Sequence, residues 1–336
     1  MDFLNALVLL SNFVLIPAIS YGSQLALGAL GITLVYGILR FSHFAHGDVM
    51  AFGTMAVILF TWWLQSLGVS IDPLPTALLA LPVGIAVTAL LLLGVDRGVY
   101  RFYRKVRAAP IVVVMASLGV MFVVNGLVRF IIGPDDQNFA DGARFLFTVR
   151  EFRDATGLAE GLGLRWSQLI TVAVTLIVMA ALFWFLNRTR TGKSMRAFSD
   201  NEDLALLSGI NPERVVTVTW LIVAALVTVA GTLYGLDKSF KAFTYFQLLL
   251  PMFAAAILGG MGNPLGAVAG AYAIALSEVG VTYAFRKFFE YLLPAGLEPT
   301  SLLQLLSTDY KFAVSFVLLV LVLLFRPTGL FKGQSL

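Results

Sequence analysis

The sequence predicts an all-α, polytopic membrane protein with about eight to nine transmembrane helices. Of its 336 residues, 59% are hydrophobic and only 12% are charged, about half the charged fraction of an average soluble protein. Charged residues are missing from long windows, which are 3–39, 49–71, 73–95, 108–128, 166–187, 215–236 and 242–277. Because roughly 20 apolar helical residues cross the hydrocarbon core of a bilayer, each window is long enough for one crossing.

Composition and sequence pattern exclude several other classes of protein. An ordinary soluble enzyme does not fit so little charge, and an outer-membrane barrel would show alternating strands of about ten residues. The chain has no cysteine, so it offers neither disulfides nor a thiolate metal site. Its N-terminus lacks the basic region and cleavage pattern of a signal peptide, so we expect the first segment to stay in the membrane.

Two basic clusters predict the orientation. The segments 97–109 and 188–214 each carry five Lys or Arg residues, and short basic loops remain in the cytoplasm. This places 133–165, with six acidic residues, in an external loop, the N-terminus outside and the C-terminus in the cytoplasm. The expected crossings are near 15–39, 48–68, 74–96, 110–132, 166–187, 214–237, 245–260, 263–285 and 311–326.

The whole chain, 1–336, is expected to form a single transmembrane domain with two Gly-interrupted hydrophobic stretches. The stretch 15–68 is broken by the turn 44–48, and 242–285 by the turn 259–264. Interrupted helices at matching places point to a transport pathway built from internal repeats, although the identity between the two stretches is too low to claim a repeat. The second stretch is either two full crossings or a re-entrant segment.

The cytoplasmic loop 188–214 contains dense helix signals. Ser199 and Glu202 have the spacing of a capping box, and Gly209 can end the helix in a left-handed conformation. Asn211-Pro212 is a typical helix start. We expect a short helix with its apolar residues inward and its acids, Asp200, Glu202 and Asp203, toward water or a partner. Two interpretations are open: a helix that receives a push from a soluble subunit, or an ordinary solvated loop.

The segment Thr191-Gly192-Lys193-Ser194 resembles the end of a phosphate-binding loop. The full motif requires glycine five positions before Gly192, directly after a strand, and that position is Asn187 at the end of a membrane helix. The chain itself is therefore expected to bind no nucleotide and no other cofactor. Any energy from ATP has to enter through another chain.

Small residues recur every four positions at Gly262, Gly266 and Gly270. This spacing lets membrane helices approach closely, either as simple packing or as a seam that slides during gating. Both interpretations predict that a bulky residue at Gly266 disrupts the protein.

Few polar side chains lie within the expected spans. His43, His46 and Asp48 could in principle bind a metal, but the spacing is a weak signal, and a turn that lines a cavity or pairs with neighbouring helices fits better. Glu278 is a functional candidate because it is ionisable, unless it reaches water or pairs with Arg286. Asn125 lines a pathway or bonds an adjacent helix. So few charges favour a neutral or zwitterionic solute.

Carboxylate pairs do not predict an enzyme. Asp135-Asp136 lies in the external loop, while the acids of 200–203 are explained by helix capping, so the two groups cannot form one magnesium site. We assign no catalytic and no metal-binding residue.

Four segments in order resemble one transporter family. They are 34–48, which ends Phe44-Ala45-His46-Gly47-Asp48; 191–211, with Thr191-Gly192-Lys193-Ser194 and Gly209-Ile210-Asn211; 258–266, Leu-Gly-Gly-Met-Gly-Asn-Pro-Leu-Gly; and 326–331, Arg-Pro-Thr-Gly-Leu-Phe. Together they resemble the permease subunits of branched-chain amino-acid ABC importers, and most closely the H-type permease. The resemblance extends from near residue 20 to the C-terminus.

The resemblance implies a multi-pass permease of the bacterial inner membrane. Its partners would be a second related permease, two cytoplasmic subunits that bind ATP and Mg, and a periplasmic solute-binding protein, with no nucleic acid. ATP-driven closure of the ATPases would be transmitted by the helix within 199–209, and the turns 44–48 and 259–270 would switch the pathway.

The implied site residues fall into two groups. Coupling to the ATPase would involve Arg196, Ala197, Asn201, Ala205, Gly209, Ile210 and Asn211. The translocation path and its gate would involve His46, Gly47, Asn125, Gly259, Gly260, Gly262, Gly266, Gly270 and Glu278.

Two features depart from the family pattern, namely Ser42-His43 before Phe44 and the long external stretch 133–165. Because near relatives move urea or short amides, these solutes are alternatives to amino acids. A stand-alone secondary transporter or channel is the alternative from another class, although it has no need of a docking helix in 188–214.

Overall fold

The computed structural model describes residues 2–139, 142, 144–293, 301, 303–326 and 328–331. Within these ranges nine helical segments are long and apolar enough to cross a membrane. They confirm the predicted class of polytopic helical membrane protein.

The helices follow one another with short connections in most places. Their bounds are α1 (Asp2–Leu10), α2 (Ile16–Leu39), α3 (His46–Ser66), α4 (Ala77–Val95), α5 (Arg101–Lys105), α6 (Pro110–Ile132), α7 (Val149–Thr156), α8 (Trp166–Arg188), α9 (Arg190–Asp200), α10 (Glu202–Leu207), α11 (Pro212–Asp237), α12 (Ala242–Gly259), α13 (Pro264–Thr282), α14 (Arg286–Leu292) and α15 (Lys311–Phe325). π-Helical turns at Ser11–Leu15 and Asp96–Tyr100 join α1 to α2 and α4 to α5. Two short antiparallel strands, β1 (Phe145–Phe147) and β2 (Leu164–Arg165), flank α7.

The first span is longer than the expected 15–39. α1, the π-helical turn and α2 form one helical segment of 38 residues, about 57 Å at 1.5 Å per residue, which exceeds the thickness of the hydrocarbon core. The additional turns contact the segment that precedes α8, because Asn5 Oδ1 accepts from the Glu160 amide at 3.2 Å and Asn12 Oδ1 from the Gly163 amide at 3.1 Å.

The stretch 242–285 contains two helices rather than a single interrupted one. α12 has 18 residues and α13 has 19, so each is about 27–29 Å long and able to cross the hydrocarbon core. This supports two full crossings over the re-entrant alternative.

α2 lies at the centre of the bundle. It contacts α11, α12 and α13 along its length, and nearly every residue from Ala18 to Ile38 is buried. Such a helix is apolar on all faces because it has protein on all faces. The more peripheral helices α6 and α8 bury only one stripe each and expose large apolar side chains such as Phe122 and Ile177.

The two basic clusters meet at one end of this bundle, which we call the basic end. Arg101 Nε, from the first cluster, lies 3.3 Å from Glu213 Oε2 in the second. Arg104 forms a bidentate ion pair with Asp96 at 2.5 and 3.0 Å. The loop 133–165 lies at the opposite end, where the backbones of Gln137 and Phe240 exchange hydrogen bonds of 2.8 Å. The arrangement agrees with the predicted pairing of 97–109 with 188–214 on one side.

The absence of native cysteine allows this topology to be tested by single cysteines. We expect Lys105→Cys and Arg188→Cys to react with a membrane-impermeant maleimide from one side of the membrane, and Arg150→Cys to react only from the other. The physical reason is that all three side chains are exposed, at opposite ends of the bundle. Labelling of Lys105→Cys and Arg150→Cys from the same side would contradict the fold.

Candidate functional site

The loop 188–214 folds into two helices rather than one. Thr189 caps α9 by accepting from the Gly192 amide at 3.0 Å, and Asn201 caps α10 by accepting from the Leu204 amide at 2.9 Å. The expected capping box of Ser199 and Glu202 is wrong. Ser199 continues α9, and the amide oxygen of Asn201, directly before α10, takes the capping position instead.

The end of α10 and the start of α11 follow the sequence signals. Gly209 has φ of +80°, its amide donates to the Leu206 carbonyl at 3.0 Å, and the Ile210 amide donates to the Ala205 carbonyl at 3.1 Å. These two bonds form a Schellman motif, for which glycine is the favoured residue. Asn211 then caps α11 by accepting from the amides of Glu213 and Arg214 at 3.0 and 3.3 Å.

The apolar side chains of α10 point outward, which corrects the expectation that they face the interior. Leu204, Leu206 and Leu207 are 61%, 43% and 86% exposed, and Ala205 is the buried residue of the helix at 3%. We call these three leucines the leucine patch. A run of consecutive apolar residues has no period, so the sequence could not reveal which face is inward.

α9 attaches this patch to the membrane bundle. Met195 and Phe198 are buried, and α9 packs so tightly on α8 that a Cβ on Gly192 would lie 2.2 Å from the Phe185 carbonyl oxygen. The Arg40 guanidinium donates to the Ser199 carbonyl. The α2–α3 turn is thus bonded directly to α9.

An aromatic cluster connects the same turn to α11. The His43 ring lies 5.2 Å from Trp220 and 5.7 Å from Tyr100, and Trp220 donates to Asp96 Oδ1 at 2.8 Å. Burial lowers the pKa of the His43 imidazole well below its ordinary value, so the ring is neutral at physiological pH. Among the described residues, no group of three metal-ligating side chains occurs.

His46 and Gly47, at the start of α3, make close contacts with neighbouring helices. His46 Nε2 lies 3.0 Å from the Gly28 carbonyl oxygen of α2. A Cβ on Gly47 would lie 2.6 Å from the Tyr245 carbonyl oxygen of α12. These contacts agree with the expectation that the polar turn pairs with neighbouring helices.

Asn125 bonds an adjacent helix, the second of the two alternatives considered for it. Its Nδ2 donates to Asp48 Oδ1 at 2.5 Å, and Asp48 is 1% exposed in the first turn of α3. The sequence pattern places Asp48 in a turn and does not reveal it as a buried acid. Asn125, a polar residue within the expected span of α6, was the available signal that a polar partner lies nearby.

Glu278 neither reaches water nor pairs with Arg286. It is 1% exposed and accepts a hydrogen bond from the Ser315 hydroxyl of α15, while Arg286 pairs with Glu290 at 2.9 Å. The partner lies 37 residues away in sequence. Such a long-range contact cannot be read from local spacing.

The glycines between α12 and α13 form a seam of direct backbone contact. A Cβ on Gly259 would lie 2.0 Å from the Gly266 carbonyl oxygen, and a Cβ on Gly270 would lie 2.2 Å from the Ala255 carbonyl oxygen. The turn between the helices contains two left-handed residues, Gly260 at φ +104° and Gly262 at φ +84°. The structure therefore agrees with the interpretation that these glycines serve close packing.

The C-terminal segment 328–331 lies on this turn. The Leu330 amide donates to the Leu258 carbonyl at 2.8 Å, and Asn263 Nδ2 donates to the Phe331 carbonyl at 3.0 Å. Asn263 also caps α13 by accepting from the Gly266 amide at 3.1 Å. Of the motif 326–331, Pro327 lies outside the described residues.

A cavity of about 530 Å³ lies at the basic end between α2, α9 and the α12–α13 turn. We call it the inner cavity. It brings together Arg196 and Ala197, expected to act in coupling, with Gly262, expected to act in gating. Asn125 and Glu278 do not line it.

Comparison with known proteins identifies the family. Residues 14–323 match the family model described as "Branched-chain amino acid transport system / permease component". The chain belongs to this family.

Three relatives are named as branched-chain amino acid transport permeases. This permease is 29% identical to the high-affinity branched-chain amino acid transport system permease protein BraD of Pseudomonas aeruginosa, with 94% of each chain covered. It is 28% identical to LivH of Escherichia coli K12, with 93% of this chain and 92% of that one covered. It is 25% identical to the probable LivH of Methanocaldococcus jannaschii, with 95% and 92% covered. The motif-based identification of an H-type permease is confirmed.

The glycine seam yields a stability prediction for this permease. We expect Gly266→Leu to destabilise the fold severely, because its side chain would overlap the backbone of α12 and the two helices would have to separate. The measurement is the thermal midpoint of aggregation in detergent, followed by size-exclusion chromatography.

The matched control is Gly280→Leu, also in α13, where a Cβ would meet no atom within 4 Å. It should lower the midpoint by only a few degrees. Equal losses for the two variants would show that the seam is not a tight contact.

Proposed function

We propose that this permease is the membrane-spanning subunit of an ATP-driven importer in the bacterial inner membrane, with its basic end in the cytoplasm. It carries branched-chain or similar neutral and zwitterionic amino acids inward. The orientation is supported by the concentration of Lys and Arg at one end of the bundle, which follows the positive-inside rule. The solute class is supported by the relatives from Pseudomonas aeruginosa and Escherichia coli, which are named as branched-chain amino acid permeases.

The proposed assembly contains a second related permease, two cytoplasmic subunits that bind ATP and Mg, and a periplasmic solute-binding protein. This chain contributes no catalytic residue to ATP hydrolysis. Its role is mechanical, since it receives motion at the basic end and changes the access of a pathway between its helices.

The observation that carries the proposal is the leucine patch. Three exposed leucines on a helix of six residues are unfavourable in water. Complete burial of a fully exposed leucine contributes roughly 1.5–3 kcal/mol, and burial of a partly exposed leucine contributes correspondingly less. The Schellman motif and the Asn201 cap fix the helix ends, so the patch is presented in a defined orientation. A rigid apolar surface at the cytoplasmic side fits a groove on a soluble ATPase.

The proposed path of the push has two steps. The ATPase moves α10, and α9 moves with it because only the Asn201 junction separates the two helices. α9 then displaces the α2–α3 turn through the bond from Arg40 to Ser199, and it forms one wall of the inner cavity whose other wall is the α12–α13 turn. Motion at α10 therefore displaces the α2–α3 turn and changes the space between it and the α12–α13 turn.

Leu207→Glu tests this proposal. We expect the substitution to lower both co-purification of the ATPase and ATP-dependent leucine uptake at least tenfold, because a buried carboxylate in the interface would cost more than 1.4 kcal/mol. The fold should be unaffected, since Leu207 is 86% exposed.

Leu305→Glu is the matched control, an exposed leucine after α14 and far from α10 in the fold. It should leave uptake and co-purification unchanged. If Leu207→Glu retains both, the coupling role of α10 is refuted and a stand-alone transporter is favoured. Uptake of urea or acetamide in place of leucine would reassign the solute.

A further inference from the structure

The inner cavity has an apolar wall deep in the bundle. Leu34 and Ile38 of α2 and Met195 of α9 line it, and all three side chains are buried. Its volume of about 530 Å³ falls within the range of small-molecule sites, about 300–1,000 Å³. The apolar wall offers an aliphatic group a place out of water.

The mouth of the cavity carries charges of both signs. Lys193, Arg196 and Asp200 line it from one helix, and their spacing of three and four residues puts them on one face of α9. Within the part of the chain that the structure describes, none of the three takes part in an ion pair. Two cations and one carboxylate thus face the same space without partners.

The Thr33 hydroxyl provides an independent indication of a ligand. Thr33 is 1% exposed and lines the cavity, and its Oγ1 has no hydrogen-bond partner in the structure. An unsatisfied buried hydroxyl costs roughly 1–3 kcal/mol. The hydroxyls of Thr76, Thr171, Thr175 and Thr232 are likewise buried without a partner, but none of these four residues lines the inner cavity.

We propose that the inner cavity is a binding site for an aliphatic α-amino acid that enters from the basic end. Arg196 and Lys193 take the carboxylate, Asp200 takes the ammonium group, and Leu34, Ile38 and Met195 surround the aliphatic side chain. Thr33 hydrogen-bonds the ligand or a water molecule that it orders. This inference rests on the proposed function. It adds a site at which the transported solute binds from the cytoplasmic side.

A bound amino acid would hold α9 in place against α2 and the α12–α13 turn. It would contact α9, α2 and the turn at Gly262 and Pro264 at once, so it would stabilise the arrangement seen here against the displacement that import requires. High solute on the cytoplasmic side would therefore slow further import.

Thiol labelling in the cysteine-free chain measures occupancy without ATP or transport. Ala197→Cys, which lines the cavity and is exposed, is expressed with the complete transport system, and inside-out membrane vesicles are treated with a small thiol reagent. We expect 10 mM leucine to slow labelling severalfold. The analogue 4-methylpentanoate, which lacks the ammonium group, should protect less, and Asp200→Asn should remove the protection by leucine.

Ser194→Cys is the matched control, since it lies on α9 but does not line the inner cavity, and its labelling should not respond to leucine. If Ala197→Cys fails to fold, Ser199→Cys, which also lines the cavity and is half-buried, takes its place. Labelling that leucine leaves unchanged, or slows equally at Ser194→Cys, would overturn the site.

Preloaded vesicles test the consequence for transport. In right-side-out vesicles loaded with leucine, the initial rate of ATP-driven uptake should fall severalfold relative to empty vesicles, and Asp200→Asn should relieve this inhibition. Uptake without protection at Ala197→Cys would refute the site and leave the proposed function intact. Protection without any ATP-driven uptake would refute the proposed function and support the site.

Discussion

Hydrocarbon provides no hydrogen-bond partner, and this constraint governs where the helices of this permease can stop. Two breaks near the basic end make hydrogen bonds within the chain. The Arg40 amide, in a left-handed conformation at φ +57°, donates to the Tyr36 carbonyl, and Asn263 caps α13 while its side-chain amide also bonds the C-terminal segment. The two turns that interrupt the hydrophobic stretches are therefore held in defined conformations by hydrogen bonds within the chain.

In the proposed function, the push from the ATPase passes through α9. α10 itself buries little more than Ala205, so it transmits force only because α9 is fixed to α8 by backbone contact at Gly192 and to the α2–α3 turn by Arg40. The aromatic cluster of His43, Tyr100 and Trp220 then joins that turn to α11. A push on the leucine patch therefore acts on a connected block, and the inner cavity is the space between this block and the α12–α13 turn.

The class of fold and much of the coupling loop were predictable from sequence because their signals are local. Charge-free windows set the spans, Gly209 and Asn211-Pro212 set the helix ends, and the four-residue spacing of glycines set the seam. What failed depended on distant parts of the chain. The orientation of Leu204, Leu206 and Leu207, the partner of Glu278 and the burial of Asp48 are all decided by helices far away in sequence, and the capping residue was displaced by two positions because Asn201 competes with Ser199.

The central claim is that the α9–α10 unit and the α2–α3 turn move as one block relative to the α12–α13 turn. Pairs of spin labels in the cysteine-free chain, assembled with its ATPase partners, measure this directly by pulsed dipolar spectroscopy with and without ATP. The account predicts that the distance between labels at Ser208 and Ser42 stays constant, whereas that between Ser208 and Leu330, on the C-terminal segment, changes by several ångströms. A change of equal size in both distances, or a change only between Ser208 and Ser42, would contradict it.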